Sequence, residues 1–88
     1  MLAKSEHVIL DLLTARGPCY GLQLVDESAG RLKRGGIYVT LGRMEEKGFI
    51  TSAPAEGGRR VYEPTALGLR ALFAAGIVLG DLPLGAKA

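Results

Sequence analysis

Residues 31–50 read RLKRGGIYVTLGRMEEKGFI and contain the clearest helical pattern of the chain. Ile37, Leu41 and Met44 stand at positions i, i+4 and i+7, which aligns three apolar side chains along one face of a helix. This spacing predicts a helix over about residues 36–47, and the glycine that follows is typical of a helix C-terminus. The stretch is therefore predicted to be a helix with one buried face.

The side of this helix opposite Ile37 is nearly bare. At about 100° per residue, that side collects Gly35, Gly36, Val39, Gly42, Arg43 and Glu46. A glycine within a helix costs roughly 0.5–1 kcal/mol relative to alanine, and solvated helix faces are usually rich in Lys, Glu and Gln. A bare face lets the helix backbone lie close to another surface. The alternative is that the first two glycines form a flexible helix start and the third packs closely inside the chain.

Two further helices are predicted before this one. Ser5 is expected to cap a first helix, in which Val8 and Ile9 begin the apolar spacing, and Gly17-Pro18 ends it. A second, short helix fits residues 20–28. The stretch of residues 31–50 would then contain the third helix of a compact group.

The pattern changes after the third helix. Residues 49–53 and 60–63 read as two short strands joined by the turn-rich PAEGG, which predicts a β-hairpin. A fourth helix is predicted from a cap at Thr65 to an end near Asp81 and Pro83.

The predicted fold is mainly α with a small β-hairpin wing, that is, a winged helix-turn-helix. In this fold the third helix reads the DNA major groove and the hairpin lies beside it. We expect residues 1–64 to form the DNA-binding domain, and residues 65–88 to form a C-terminal helix and tail used for dimerisation.

Composition and charge are consistent with this fold. The 88 residues are 48% hydrophobic and 23% charged, which suits one small globular domain. The net charge is +2, but residues 31–60 hold seven basic and three acidic side chains, a net +4. Such a basic middle predicts a surface that meets an anion. A single cysteine, no signal-peptide pattern and no apolar run long enough to span a bilayer lead us to expect a cytoplasmic location without membrane contact.

No catalytic or metal-binding pattern is visible in the sequence. Cys19 and His7 are the only soft metal ligands, so a site within one chain would need carboxylates as well. We expect no cofactor, no metal and no enzymatic activity. Cys19 is expected to be a small buried thiol, with a redox switch as the alternative.

Three segments, ILDLLTARGPCYGLQL, GGIYVTLGRMEEKGFI and GGRRVYEPTALGLRAL, resemble the PadR family of bacterial transcription regulators. The most specific parts are Tyr38, the Met44-Glu45-x-x-Gly48-Phe49-Ile50 helix exit and the Tyr62-x-x-Thr65-x-x-Gly68 segment. The resemblance implies a winged-helix dimer that binds promoter DNA, usually as a repressor. The chain departs from the family in its Tyr20-Gly21-Leu22 order and its Gly35-Gly36 pair. It resembles a short form without the larger C-terminal domain of many members, which leaves any effector unknown.

Residues on the bare helix and beside it are the candidates for DNA contact. Val39 could touch a thymine methyl group and Arg43 could pair with guanine, whereas basic residues before the helix and on the wing would contact phosphates. Tyr38 could either pack against the second helix or reach a phosphate. The predicted DNA-binding set is Lys33, Arg34, Gly35, Gly36, Tyr38, Val39, Thr40, Gly42, Arg43, Arg59 and Arg60. The rival interpretation is a winged-helix module that binds another protein.

The fourth helix is too apolar to serve only the core of one small domain. One apolar stripe can pack inside the domain, and a second stripe needs a partner. A second copy of the chain, related by two-fold symmetry, would suit adjacent major grooves of DNA. The predicted dimer interface is Leu69, Leu72, Phe73, Ile77 and Val78.

Overall fold

The computed structural model describes residues 2–78, with side chains described as far as Ala75. It confirms the predicted winged helix-turn-helix order. The elements are α1 (Lys4–Arg16), β1 (Cys19–Tyr20), α2 (Gly21–Glu27), α3 (Ile37–Lys47), β2 (Ile50–Pro54), a short 3₁₀ turn (Glu56–Gly58), β3 (Arg60–Pro64) and α4 (Ala66–Val78). The predicted end of α4 near Asp81 and Pro83 lies outside the described residues.

The core lies between the helices and one face of the sheet. The apolar face predicted for α3 is confirmed, since Ile37, Leu41 and Met44 are each at most 2% exposed. Burial of such a side chain is worth roughly 1.5–3 kcal/mol. The remaining buried apolar side chains among the described residues come from α1, β1, α2, the loop before α3, β2 and β3; they are Ile9, Leu10, Leu13, Cys19, Leu24, Leu32, Ile50 and Tyr62.

The sheet has three antiparallel strands in the order β1-β3-β2, one more than the predicted hairpin. In the additional strand, β1, Cys19 pairs with Tyr62 and Tyr20 pairs with Val61. A strand of two residues is too short to show an alternating pattern, so β1 could not be predicted from the sequence. This strand joins the wing to the start of α2.

The predicted cap of α1 at Ser5 is wrong. The N-cap is Ala3, whose amide donates to the Glu6 carboxylate over 2.9 Å. A Glu three residues into a helix can satisfy the first amide by this reciprocal bond even where the cap itself has no hydroxyl.

The expected start of α3 also differs from the structure. Gly35 lies in a turn before the helix and Gly36 is the N-cap, so only Gly42 of the three glycines lies within α3. The predicted C-terminal glycine is confirmed: Gly48 ends the helix in the left-handed region at φ 84°.

The first turn of α4 is fixed by side-chain and backbone contacts. The Thr65 hydroxyl accepts from the Gly68 amide over 3.0 Å, which confirms the predicted cap. A Cβ at Gly68 would overlap the carbonyl oxygen of Phe49, so glycine lets α4 lie close to the start of β2. Leu72 also packs against the core. None of the helices in the described part of the chain is long and apolar enough to cross a membrane.

Candidate nucleic-acid interface

The burial of one α3 face determines which side chains point outward. Tyr38 is 55% exposed and Val39 is 58% exposed, and Gly42 and Arg43 are exposed as well. Thr40 is half-buried and its hydroxyl donates to the Gly36 carbonyl over 3.1 Å. At Gly42 the outer surface of the helix is therefore bare main chain, flanked by the exposed side chains of Val39 and Arg43.

Within residues 2–78, neither packing nor backbone conformation requires glycine at the three glycine positions of this surface. A Cβ placed on Gly35, Gly36 or Gly42 would meet no packing neighbour within 4 Å. None of the three has a positive φ, so their backbone conformation is open to other residues. The alternative that Gly42 is a close-packing site inside the chain is therefore excluded for the part of the chain that the structure describes.

The N-terminus of α3 is open at this surface. Gly36 offers no side chain to cap the first amides of the helix, and Gly35 beside it is also exposed. Free amides and the positive end of the helix dipole together favour an anion. Lys33 and Arg34 precede the glycines and are exposed.

The two wing arginines occupy different environments. The Arg59 guanidinium lies over the Tyr20 ring, 4.6 Å from its centroid, which is a cation–π contact. The Arg60 Nε donates to the Ser52 hydroxyl over 3.0 Å. Both arginines are exposed, so each retains surface for a ligand.

Three residues outside the predicted DNA-binding set hold this surface together. Tyr20 lies under Arg59, and Ser52 links Arg60 to Glu45, whose carboxylate accepts from the Ser52 hydroxyl over 2.8 Å. Their contacts join separate elements, so no local spacing could have indicated them.

Tyr38 packs against α2, one of its two predicted positions. A Cβ at Gly21 would lie only 2.7 Å from the Tyr38 Cε1, so the ring depends on a glycine at the start of α2. More than half of the side chain is still open to solvent. Tyr62 is 4% exposed beneath the wing, and burial raises the pKa of its hydroxyl.

An ion pair fixes α3 to α1. The Lys47 Nζ lies 2.6 Å from the Glu6 carboxylate, which is 5% exposed. Burial by itself raises the pKa of Glu6, but the hydrogen bonds from Lys47 and the Ala3 amide, with the attraction of the Lys47 charge, outweigh it. The pKa of Glu6 therefore lies below its ordinary value.

Cys19 is a buried free thiol whose Sγ lies 3.3 Å from the Gly17 carbonyl oxygen. Burial raises the pKa of this thiol, so it is weakly reactive. Among residues 2–78 there is no cluster of three or more His, Cys, Asp or Glu that could hold a metal ion.

A second exposed surface lies on α4. Phe73 is 75% exposed, and Leu67 and Leu69 are 46% and 37% exposed. The side chains of Ile77 and Val78, which belong to the predicted dimer interface, lie outside the described ones. An apolar groove of about 1020 Å³ also runs between α1 and α4, lined mainly by Leu2, Ala3, Val8, Ala71, Ala74 and Ala75.

A three-helix core, a wing beside α3 and basic side chains around its outer face define a winged helix-turn-helix protein. The sequence profile of the transcriptional regulator PadR-like family matches residues 9–74. The chain belongs to this family, as its motifs indicated. No curated protein sequence matches the chain.

Solved structures share the fold. Bacillus subtilis PadR in complex with operator DNA matches with a TM-score of 0.78 and 24% identity, over 100% of this chain and 55% of that one. The transcriptional regulator PA4135 matches with a TM-score of 0.77 and 18% identity, over 89% and 57%. Streptomyces coelicolor PcaV, solved with its natural ligand, matches with a TM-score of 0.71 and 18% identity, over 94% of this chain and 64% of that one. The chain thus spans between half and two thirds of the length of these proteins.

Proposed function

We propose that the protein is a sequence-specific regulator of transcription that binds duplex DNA through α3 and the wing. The observation that carries this proposal is the set of glycines at 35, 36 and 42. Gly42 lowers the helix propensity of α3, and within the described chain neither space nor backbone conformation requires glycine at any of the three positions. A surface kept free of side chains without an internal reason points to a close external partner. The solved complex of Bacillus subtilis PadR with operator DNA, which shares this fold, supports DNA as that partner.

The polar groups around α3 suit the two kinds of DNA contact. Arg43 is exposed on the outer face, from which it would read guanine, and Val39 beside it would meet a thymine methyl group. Phosphates would be bound at the rim of this face, where they fix register without reading sequence. We assign the rim contacts to Lys33, Arg34, the amides after Gly36, Tyr38, Arg59 and Arg60.

The protein is proposed to act as a homodimer on a palindromic operator. Leu69 and Phe73 leave apolar surface in water, and burial of a Phe side chain is worth roughly 1.5–3 kcal/mol. A second copy placed on α4 would cover that surface and provide a second reading helix. Leu72 packs mainly against its own core, so its part in the interface would be limited to its exposed edge.

Repression is the proposed outcome of binding, since a dimer that covers promoter DNA would exclude polymerase. The site offers nothing for catalysis: the carboxylates of α3 are solvated or bonded to Ser52, and the thiol of Cys19 is buried. We therefore propose a role without enzymatic activity. The cytoplasm is the compartment that this role implies.

Selection of bound duplexes from a random DNA pool tests the proposal. We expect enrichment of a palindromic sequence and a dissociation constant that rises steeply with salt concentration. A scrambled duplex of the same composition is the control, and it should bind more weakly at every salt concentration. Recovery of no preferred sequence, with only weak binding to all duplexes, would favour a winged-helix module that binds protein instead.

A further inference from the structure

We infer that Ser52 positions Arg60 for its phosphate contact and that Glu45 fixes the Ser52 hydroxyl for this purpose. The inference rests on the proposed DNA binding and deepens it. It separates the two wing arginines, which the sequence presents as an equivalent pair. Arg59 lies on Tyr20, whereas Arg60 is held by a hydrogen-bonded chain that ends on the reading helix.

The chemical groups of Arg60, Ser52 and Glu45 determine the direction of the two hydrogen bonds that link them. Arginine can only donate and an ionised carboxylate can only accept, whereas a hydroxyl has one proton and two lone pairs. The Ser52 hydroxyl therefore accepts from the Arg60 Nε over 3.0 Å and donates to the Glu45 carboxylate over 2.8 Å. Its single proton is used on Glu45, which leaves a lone pair directed at Arg60.

Strand register places the two wing residues on the same face of the sheet. Ser52 lies opposite Tyr62 and Arg60 lies opposite Pro54 in the antiparallel pair of β2 and β3. Ser52 and Arg60 are thus diagonal neighbours across the two strands, and a long side chain can span the separation between such residues. Glu45 reaches the same point from the last turns of α3. The three residues link wing and reading helix.

The contact with Ser52 leaves the anion-binding part of Arg60 free. Only Nε is used, and Arg60 forms no ion pair with the carboxylates of residues 2–78. The two terminal nitrogens can therefore bind a phosphate as a fork. A guanidinium already held in place loses less conformational freedom on binding than a free one. Ser52 is a positioning residue in this account, since it would not touch DNA itself.

Substitutions at Ser52 test the inference on the selected duplex. Ser52→Ala removes both hydrogen bonds and should weaken binding about threefold to tenfold, the cost of immobilising one long side chain. Ser52→Thr keeps a hydroxyl at this position in a residue that suits a strand, so this variant should bind as tightly as the unmodified protein. Arg60→Ala should weaken binding and lower the slope of log K against log salt by about 0.9, the value for one phosphate. In the Arg60→Ala background, Ser52→Ala should have no further effect.

Glu45→Gln distinguishes positioning from simple charge. The amide oxygen of glutamine can still accept from Ser52, and a negative charge near the DNA is removed, so binding should be equal or tighter. Full affinity of the Ser52→Ala protein, or an equal loss from Ser52→Ala with and without Arg60, would overturn the inference. Thermal unfolding of each variant checks that the wing is folded. If the unmodified protein binds no duplex, the proposed function fails first, which is a separate result.

Discussion

Two exposed helix faces of this protein differ in almost every property. The outer face of α3 carries Gly42, Arg43 and the exposed Val39, and a Cβ at Gly42 would meet no neighbour among the described residues within 4 Å. The outer face of α4 carries Leu69 and the 75% exposed Phe73. On the first face, an anion can come close to the main chain of α3. The second face offers apolar area to a protein surface. Exposed faces of one small domain can therefore be assigned to different partners from their side chains.

The two helices also differ in why they contain glycine. Gly68 on α4 lies against the backbone of Phe49, and Gly48 adopts a left-handed conformation at the end of α3. At these two positions the fold itself requires glycine. Nothing within the described residues requires glycine at position 42, so we attribute Gly42 to contact with an external partner.

The largest expected effect is at α4. Phe73→Asp would place an unpaired charge in the proposed interface twice per dimer, at a cost of about 3–6 kcal/mol from two lost Phe burials alone. Sedimentation across a dilution series should show a dimer for the unmodified protein and a monomer for the variant. Leu22→Asp, at an exposed leucine of α2, is the control and should remain dimeric. A monomer of the unmodified protein at every concentration would remove α4 as an interface.

The next largest effect is at the bare face of α3. Gly42→Glu should cost about 3 kcal/mol or more of DNA binding at each half-site, because its bulk and charge would meet the phosphates. Since a Cβ at this position meets no neighbour, the fold should be intact. Gly42→Ala is the control for stability, which should rise by up to about 1 kcal/mol. Binding titrations together with circular dichroism check both variants. Normal binding by a folded Gly42→Glu protein would contradict the assignment.

How much of this could be predicted from sequence depends on how local each feature is. The buried face of α3 and the cap at Thr65 follow from spacing along one segment. The strand at Cys19–Tyr20 does not, because two residues carry no period and exist as a strand only through β3. The links from Ser52 to Glu45 and from Tyr20 to Arg59 are likewise set by tertiary structure. The bare face was visible in sequence, but only the structure shows that it has no packing neighbour.

A smaller effect is expected within the DNA contact itself. Arg43→Ala should cost about 1–3 kcal/mol on the preferred duplex and relax the preference at one base position. Lys33→Ala is the matched comparison, and it should weaken binding equally on all sequences because a phosphate contact carries no sequence information. Affinities measured on a set of single-base variants separate the two. An equal loss on every sequence for Arg43→Ala would make it a phosphate contact.

The smallest effect concerns the ion pair of Glu6 and Lys47, which connects α1 with α3. The pKa of Glu6 is lower in the folded protein than in the unfolded chain, so its stabilisation is present above the unfolded pKa and is lost as pH falls through the folded pKa. Glu6→Gln should lower the free energy of unfolding at neutral pH by about 1 kcal/mol and flatten its decline in acid. Asp11→Asn, which removes an exposed carboxylate on the same helix, is the matched control. Chemical denaturation between neutral and acidic pH measures both.

The central claim is that the bare face of α3 lies against DNA, and the glycine amides report on it directly. In an NMR titration of the labelled protein with its selected duplex, the amide signals of Gly35, Gly36 and Gly42 should shift or broaden strongly. Gly68, which packs against the Phe49 carbonyl on the inner side of α4, should change little. A duplex that leaves the amides of Gly35, Gly36 and Gly42 unperturbed while other amides respond would contradict this placement of the DNA.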